Sequence, residues 1–260
     1  MDKWKKLYQK ATRRVVDLVT GNGLMQEENK VEGDGYITPG MSEIIRACAA
    51  EGIVLLKNEK DTLPLKEDDV VSVFGRCQND WFYVGYGSGG DVHPPYQVSL
   101  MEGLRRGGIR CDETLAKTYA DWCKDPDHVA DHGWWGHWPY FHPEMPLTED
   151  VVVSAAEVSS VALVVIGRAA GEDRENVLEK GSYYLTDAEK EMLRLVCGCF
   201  EKVVLIMNCG SVMDMAFVAD YNISAVVYAW QLGQESGNAV ADVLSGKVNV
   251  SGKLTDTIAQ

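Results

Sequence analysis

At 260 residues the chain has room for one large domain or two small ones, at about 150 residues each. With 46% apolar and 25% charged residues it is neither disordered nor fibrous, and it can bury a substantial core without disulfides or metal. Asp and Glu number 39 against 25 Lys and Arg, a net charge of −14. A field of that sign repels phosphate backbones and anionic lipid, so nucleic-acid and membrane-surface roles are disfavoured.

Residues 1–35 read as a leading helix and a polar linker, Gln26–Gly35, with the main body over 36–260. The opening Met-Asp-Lys-Trp-Lys-Lys runs into Gln9, Lys10, Arg13 and Arg14 rather than an apolar core, so no secretory signal is read. The longest apolar run, Val161–Ile166, is far below the roughly 20 residues of a membrane span. Seven cysteines, an odd set with four in apolar segments, point to reduced thiols and a cytoplasmic setting.

Along the body, Pro39 suits the first turn of a helix running to about Glu51. Strands are predicted at Ile53–Lys57, Val70–Phe74, Gly108–Cys111, Val161–Ile166, Val203–Met207 and Ala225–Ala229, with a seventh candidate at Lys253–Ile258. The continuous Val/Ile-rich runs among them read as strands buried on both faces. Thr186 with Glu189 forms the pattern of a helix capping box, Ser211 with Asp214 forms a second, and Gly233–Ser245 carries apolar residues at helical spacing.

Strands alternating with helices imply an open, mostly parallel six-stranded sheet between helices, an α/β sandwich rather than a closed barrel. Ligands of such sheets bind beyond the carboxyl ends of the strands. Two long connections stand out, Gly75–His93 and the His- and Trp-rich stretch Lys124–Thr148, and connections of that length are commonly functional.

Four constellations carry candidate chemistry. Gly85-Tyr-Gly87-Ser-Gly89-Gly90 fits a loose dinucleotide pattern with Asp112 about 20 residues beyond, but the glycines do not stand directly between a strand and a helix. His128, His132, His137 and His142 lack the tight spacing of metal ligands, and the neighbouring Trp134, Trp135 and Trp138 offer aromatic packing instead. Cys197-Gly-Cys199 and Cys209 read as structural thiols. The acidic loop Arg168-Ala-Ala-Gly171-Glu172-Asp173-Arg174-Glu175-Asn176 follows a buried strand. On the residues alone it is equally a solvated charged loop or a site using one carboxyl as acid or base.

Glu51-Gly-Ile-Val-Leu-Leu-Lys-Asn58 with Leu63-Pro-Leu65 resembles the opening of the second domain of glycoside hydrolase family 3. Further matches follow in order: Gly87-Ser-Gly89, Gly171-Glu172-Asp173-Arg174 with Tyr184-Leu185-Thr186, Asn208-Cys-Gly210-Ser211, Trp230-Gln-Leu-Gly233-Gln234-Glu235, Ala241–Gly246 and Ser251-Gly-Lys-Leu254. The resemblance covers about residues 40 to 260.

It implies the α/β-sandwich domain of a retaining, exo-acting β-glycosidase of the β-glucosidase type. In that family a barrel domain supplies an aspartate nucleophile and this domain supplies the acid/base glutamate. The resemblance assigns Glu172 as acid/base and Gly87, Ser88, Gly89, Arg168, Asp173 and Arg174 as substrate-binding residues. A small carbohydrate substrate and the barrel are the implied partners, a homo-oligomer is compatible with both, and no metal or cofactor is called for. No barrel is present in the chain, which resembles a domain from a member placing the sandwich first. The isolated chain is expected to be inactive, and a noncatalytic sugar-binding or assembly module is the alternative. The Glu172 loop is shorter than in many members, which leaves Glu175 as a competitor, Val250 stands where proline is usual, and the 124–148 insertion matches no family element.

Overall fold

The computed structural model describes residues 38–90, 92, 94–133, 137–172, 174–255 and 257–258. Residues 1–42 and 43–260 form separate units, and the architecture below is that of the second. The predicted leading helix and the linker lie outside the described residues.

Six strands, β1 (Val54–Asn58), β2 (Val70–Phe74), β3 (Arg110–Cys111), β4 (Val161–Arg168), β5 (Val203–Cys209) and β6 (Ala225–Tyr228), form one sheet in the order β1-β6-β5-β4-β2-β3. All neighbours pair in parallel except β1, which lies antiparallel to β6 at the edge. The physical reason is visible in burial. Every residue of β4 and β5 is buried, as strands covered on both faces must be, whereas in β1 only Val54 is buried and the rest, including Lys57 and Asn58, are partly or fully exposed.

Helices α1 (Met41–Gly52), α2 (Leu100–Arg106), α3 (Glu113–Lys124), α4 (Glu149–Val158), α5 (Asp187–Cys199) and α6 (Ser236–Leu244) accompany the sheet. Alternate residues of β4 enter opposite cores: Leu163 and Val165 join α2 and α6 residues such as Leu104 and Val240, while Val164 and Ile166 join Val152 of α4 and Leu193 of α5. The Thr186–Glu189 capping box is present in full and starts α5. Two expectations are corrected. Ser211 and Asp214 form no capping box, because the Ser211 hydroxyl bonds Asn176 and Asp214 accepts from Ala216 N, two residues on, ahead of a short 3-10 turn. The described residues of 253–258 form no strand; Leu254 and Ile258 instead pack partly against the sheet's α4–α5 side.

After β2 the chain passes out to β3 and then returns past β2 to β4, so the strand order reverses between β2 and β4. The connections leaving these two strands diverge there, opening the crevice in which sheets of this kind hold ligands. They are the Gly75–His93 segment and the acidic loop.

Candidate active site

The two connections are stitched together by backbone contacts. Tyr86 N donates to Ala170 O at 2.8 Å and Glu172 N donates to Tyr86 O at 3.1 Å, a short parallel bridge between Tyr86 and Gly171. Such an approach leaves no room for side chains. A Cβ on Gly171 would lie 2.4 Å from Tyr86 O, and a Cβ on Gly87, whose φ is +112°, would lie 2.4 Å from the Glu172 Cβ. The sequence pattern of glycines is thus explained by contact between two loops rather than by a pyrophosphate, and among the described residues after Gly90 no helix begins before Leu100.

Asn208, fully buried near the end of β5, fixes the first loop from beneath. Its Oδ1 accepts from Phe82 N at 2.7 Å, and its Nδ2 donates to Phe82 O at 2.9 Å and Trp230 O at 2.7 Å. One amide side chain therefore ties the ends of β5 and β6 to the connection leaving β2.

On this frame Glu172 is exposed, and its Oε2 accepts two hydrogen bonds from Ser88, from the amide at 2.8 Å and from the hydroxyl at 2.6 Å. The hydroxyl and then the amide of Ser88 hold the Glu172 carboxyl below the usual carboxylate range. Gly89 beside it is exposed and open on its Cβ side. The Arg174 guanidinium lies 3.4 Å from the centroid of the Tyr140 ring, a cation–π contact that orients it at the same edge. Glu175 is exposed, and Asn176 is tethered, its Oδ1 accepting from the Ser211 hydroxyl at 3.0 Å and its Nδ2 donating to Val212 O. Asp173 lies outside the described residues.

Arg168 stands apart from the expected substrate contacts. It is 1% exposed, and its donors are taken by Glu189 (2.6 and 2.7 Å), Ser182 O, Gly167 O and Tyr184 O. It faces the interior because it ends a strand buried on both faces, and there it closes the base of the loop that carries Glu172.

The 124–148 insertion contributes residues that sequence reasoning did not place. Trp138 stacks on Tyr86 at 5.5 Å, Ala169 N donates to Tyr140 O at 2.7 Å, and Phe141 packs on Gly181. The high aromatic density of the segment was the available signal. Three of its four histidines pack on rings: His128 on Trp122, His142 on Phe82, and His132 edge-on to His142. Among the described residues no group of three His, Cys, Asp or Glu side chains is placed to hold a metal ion. Burial raises the thiols of Cys77 and Cys209, which suits structural cysteines. No helix among the described residues is long and apolar enough to cross a membrane.

Comparison with known proteins agrees with this fold. Residues 53–260 match the model of the glycosyl hydrolase family 3 C-terminal domain. The chain is similar to a β-glucosidase of Ruminococcus albus, 43% identical over 81% of this chain and 22% of the relative. Among solved structures, a β-glucosidase of Paenibacillus barengoltzii superposes with a TM-score of 0.82 at 46% identity, covering 85% of this chain and 24% of that one. β-Glucosidase 3B of Thermotoga neapolitana, solved in complex with glucose, gives 0.73 at 35% identity, covering 82% and 30%. The chain thus spans about a quarter of the length of these relatives. It belongs to glycosyl hydrolase family 3, and residues 53–260 are its C-terminal α/β-sandwich domain.

Proposed function

We propose that this domain supplies the acid/base carboxyl and part of the sugar-binding surface of a retaining β-glycosidase of the β-glucosidase type, with Glu172 as the acid/base. The observation that carries this reading is the exposed Glu172 held by Ser88 at the strand-order reversal. Ser88, Gly89 and Arg174 form the surrounding surface, buried Gly87 lets the two loops meet there, Asp173 follows Glu172 directly in sequence, and Arg168 positions the loop from within. The nucleophile is assigned to a barrel domain, whose carboxylate must stand about 5 to 5.5 Å from the acid/base.

Glu172 would act twice. As an acid it protonates the leaving oxygen while the nucleophile forms the glycosyl-enzyme; as a carboxylate it then takes a proton from the water that hydrolyses it. Ser88 favours the ionised form, the state needed for the second step. A negative nucleophile at the stated distance raises the carboxyl for the first, and its charge is neutralised once the covalent bond forms. The free cysteines support the cytoplasmic placement.

The test is made in the full-length enzyme carrying this domain. Glu172→Ala should slow substrates with poor leaving groups by about 10² to 10⁴-fold, with little effect on formation of the covalent intermediate from a highly activated aryl glycoside. Azide should then restore turnover of the activated substrate and yield a β-glycosyl azide. If Glu175→Ala shows this pattern and Glu172→Ala does not, the role lies three residues along. The 260-residue chain alone should not hydrolyse aryl β-glucosides; robust turnover by purified chain would overturn the two-domain reading.

A further inference from the structure

Three aromatic residues of the 124–148 insertion, close together in sequence, reach three different parts of the candidate site. Trp138 stacks on Tyr86 with the ring planes 6° apart, Tyr140 lies against Arg174, and the Phe141 ring lies 5.8 Å from the Arg168 guanidinium carbon. The main chain fixes their register, since Tyr140 O accepts from Ala169 N at 2.7 Å. Pro139 disfavours a helical turn at Trp138, and in an extended chain side chains two positions apart leave on one side, which suits a pair of rings that must both meet the loops.

The Tyr140 contact bears on the chemistry most directly. Arg174 N donates to Gly171 O at 3.2 Å, closing a tight turn that carries Glu172, so the Arg174 side chain leaves the same turn as the proposed acid/base. Its guanidinium carbon stands 3.4 Å from the centre of the Tyr140 ring. At that separation the two planes must lie face to face, because a guanidinium turned edge-on would drive a nitrogen into the ring. Arg174 Nε is buried with no hydrogen-bond partner, and among the described residues its terminal nitrogens make no hydrogen bond and meet no carboxylate. The other described arginines give their guanidinium groups to carboxylates or to a carbonyl. The ring therefore fixes the plane of a charged donor whose hydrogen-bonding edge is unspent.

We propose that Tyr140 is a positioning residue of the glycosidase reaction: its ring sets the plane of the Arg174 guanidinium, whose terminal N–H groups take a hydroxyl of the sugar held at Glu172. The inference rests on the reading of Glu172 as the acid/base. It adds that the insertion, which lies outside the motifs that mark the family, completes the sugar site. A free arginine loses rotamer freedom when it binds and a stacked one loses less, so the effect of the ring falls on affinity. Because the hydroxyl is held alike in the bound substrate and in the transition state, the effect belongs to KM rather than to kcat.

The full-length enzyme carrying this domain is assayed with an aryl β-glucoside. Tyr140→Phe keeps the ring and should leave KM within about twofold of the parent, whereas Tyr140→Leu should raise it by about 3- to 30-fold, the range of a cation–π contact, at nearly constant kcat. Arg174→Ala should raise KM at least as much, and Tyr140→Leu should add nothing further to it. Guanidinium ion at a low, non-denaturing concentration should recover part of the loss in Arg174→Ala, but not in the double variant, where no ring remains to seat it. That rescue decides the matter even where Tyr140→Leu fails to fold. A readout without turnover comes from the 260-residue chain by NMR. The Arg174 Nε–H resonance, assigned by its loss in Arg174→Ala, should be shifted upfield by the ring, stay so in Tyr140→Phe and return to the ordinary range in Tyr140→Leu. Parental KM in Tyr140→Leu or Arg174→Ala, equal losses in Tyr140→Phe and Tyr140→Leu, a loss carried by kcat, or additive effects of the two positions would each overturn the inference. Failure of the acid/base reading looks different: Glu172→Ala would then show neither leaving-group dependence nor azide rescue, and the positioning role would fall with it.

Discussion

Ser88 gives both of its donors to one carboxylate oxygen: the amide and hydroxyl of Ser88 lie 2.8 and 2.6 Å from Glu172 Oε2, across 84 residues of sequence. This contact, more than any charge pair, sets the ionisation of the exposed Glu172, and the hydroxyl is the larger cause. In the isolated chain the side-chain carboxyl carbon of Glu172 should titrate below the ordinary range when followed by NMR. Ser88→Ala removes the hydroxyl and keeps the amide, so the midpoint should rise part of the way back. An unchanged midpoint would show that the hydroxyl does not govern the group.

Gly87→Ala tests the loop-to-loop contact itself. The added methyl would meet the Glu172 Cβ at 2.4 Å in a backbone conformation, φ +112°, that L-residues rarely adopt. The loops must separate, and both Ser88 bonds should be lost together. The Glu172 midpoint should therefore rise further than in Ser88→Ala, while global stability falls by about 1–3 kcal/mol, as for other strained or overpacked positions. A Glu172 titration identical to the parent chain would mean that the segment absorbs the methyl elsewhere.

The frame of this site was legible in the sequence because its causes are local and periodic. Unbroken Val/Ile runs announced β4 and β5, and Thr186 with Glu189 announced α5, since capping and burial act within a few residues. Arg168 could not be placed that way. A charged residue beside an acidic loop looks solvent-facing, and only the arrival of Glu189 from the next helix shows why it is buried. The same holds for Ser211 and Asp214, whose spacing matches a capping box until Asn176 takes the Ser211 hydroxyl. The roles of Trp138 and Tyr140 likewise depend on folding of the insertion against Tyr86 and Ala169, contacts for which no sequence rule exists.

Glu144 makes stability depend on pH. Half-buried at the base of the insertion, it accepts from Arg76 N at 2.9 and 3.0 Å and from Met145 N at 2.8 Å. Loss of hydration nevertheless dominates these bonds, and the nearby Glu189 adds to it, so the carboxyl is pushed up to about 8. A folded-state value above the unfolded one, near 4.5, means that the folded protein binds the extra proton. The contribution is complete below about pH 4.5 and is lost as pH rises toward 8, at up to about 1.4 kcal/mol per pH unit. Urea denaturation of the parent chain and Glu144→Gln should show the parent's advantage shrinking across that window. A constant difference would mean that Glu144 keeps one charge state throughout.

The Arg168–Glu189 pair is the test of what closes the acidic loop. With side-chain exposures of 1% and 7%, neither charge can turn to water if its partner is removed. Arg168→Ala should therefore cost about 3–5 kcal/mol, since Glu189 is stranded and the Ser182 and Tyr184 carbonyls lose their donor as well. Replacing both partners with apolar residues, Arg168→Met with Glu189→Leu, removes the stranded charge and should cost clearly less than the sum of the single changes. It should still cost something, because Glu189 Oε2 also accepts from Thr186 N at 2.8 Å and that half of the cap goes with it, at about 1 kcal/mol. Amide exchange separates the pair's two roles. If the pair only stabilises the core, the double variant should protect residues 170–176 as well as the parent chain does. If it shapes the loop, exchange there should quicken even where urea shows most of the stability restored, and that is the outcome expected from donors that reach Ser182 and Tyr184 across the loop's base.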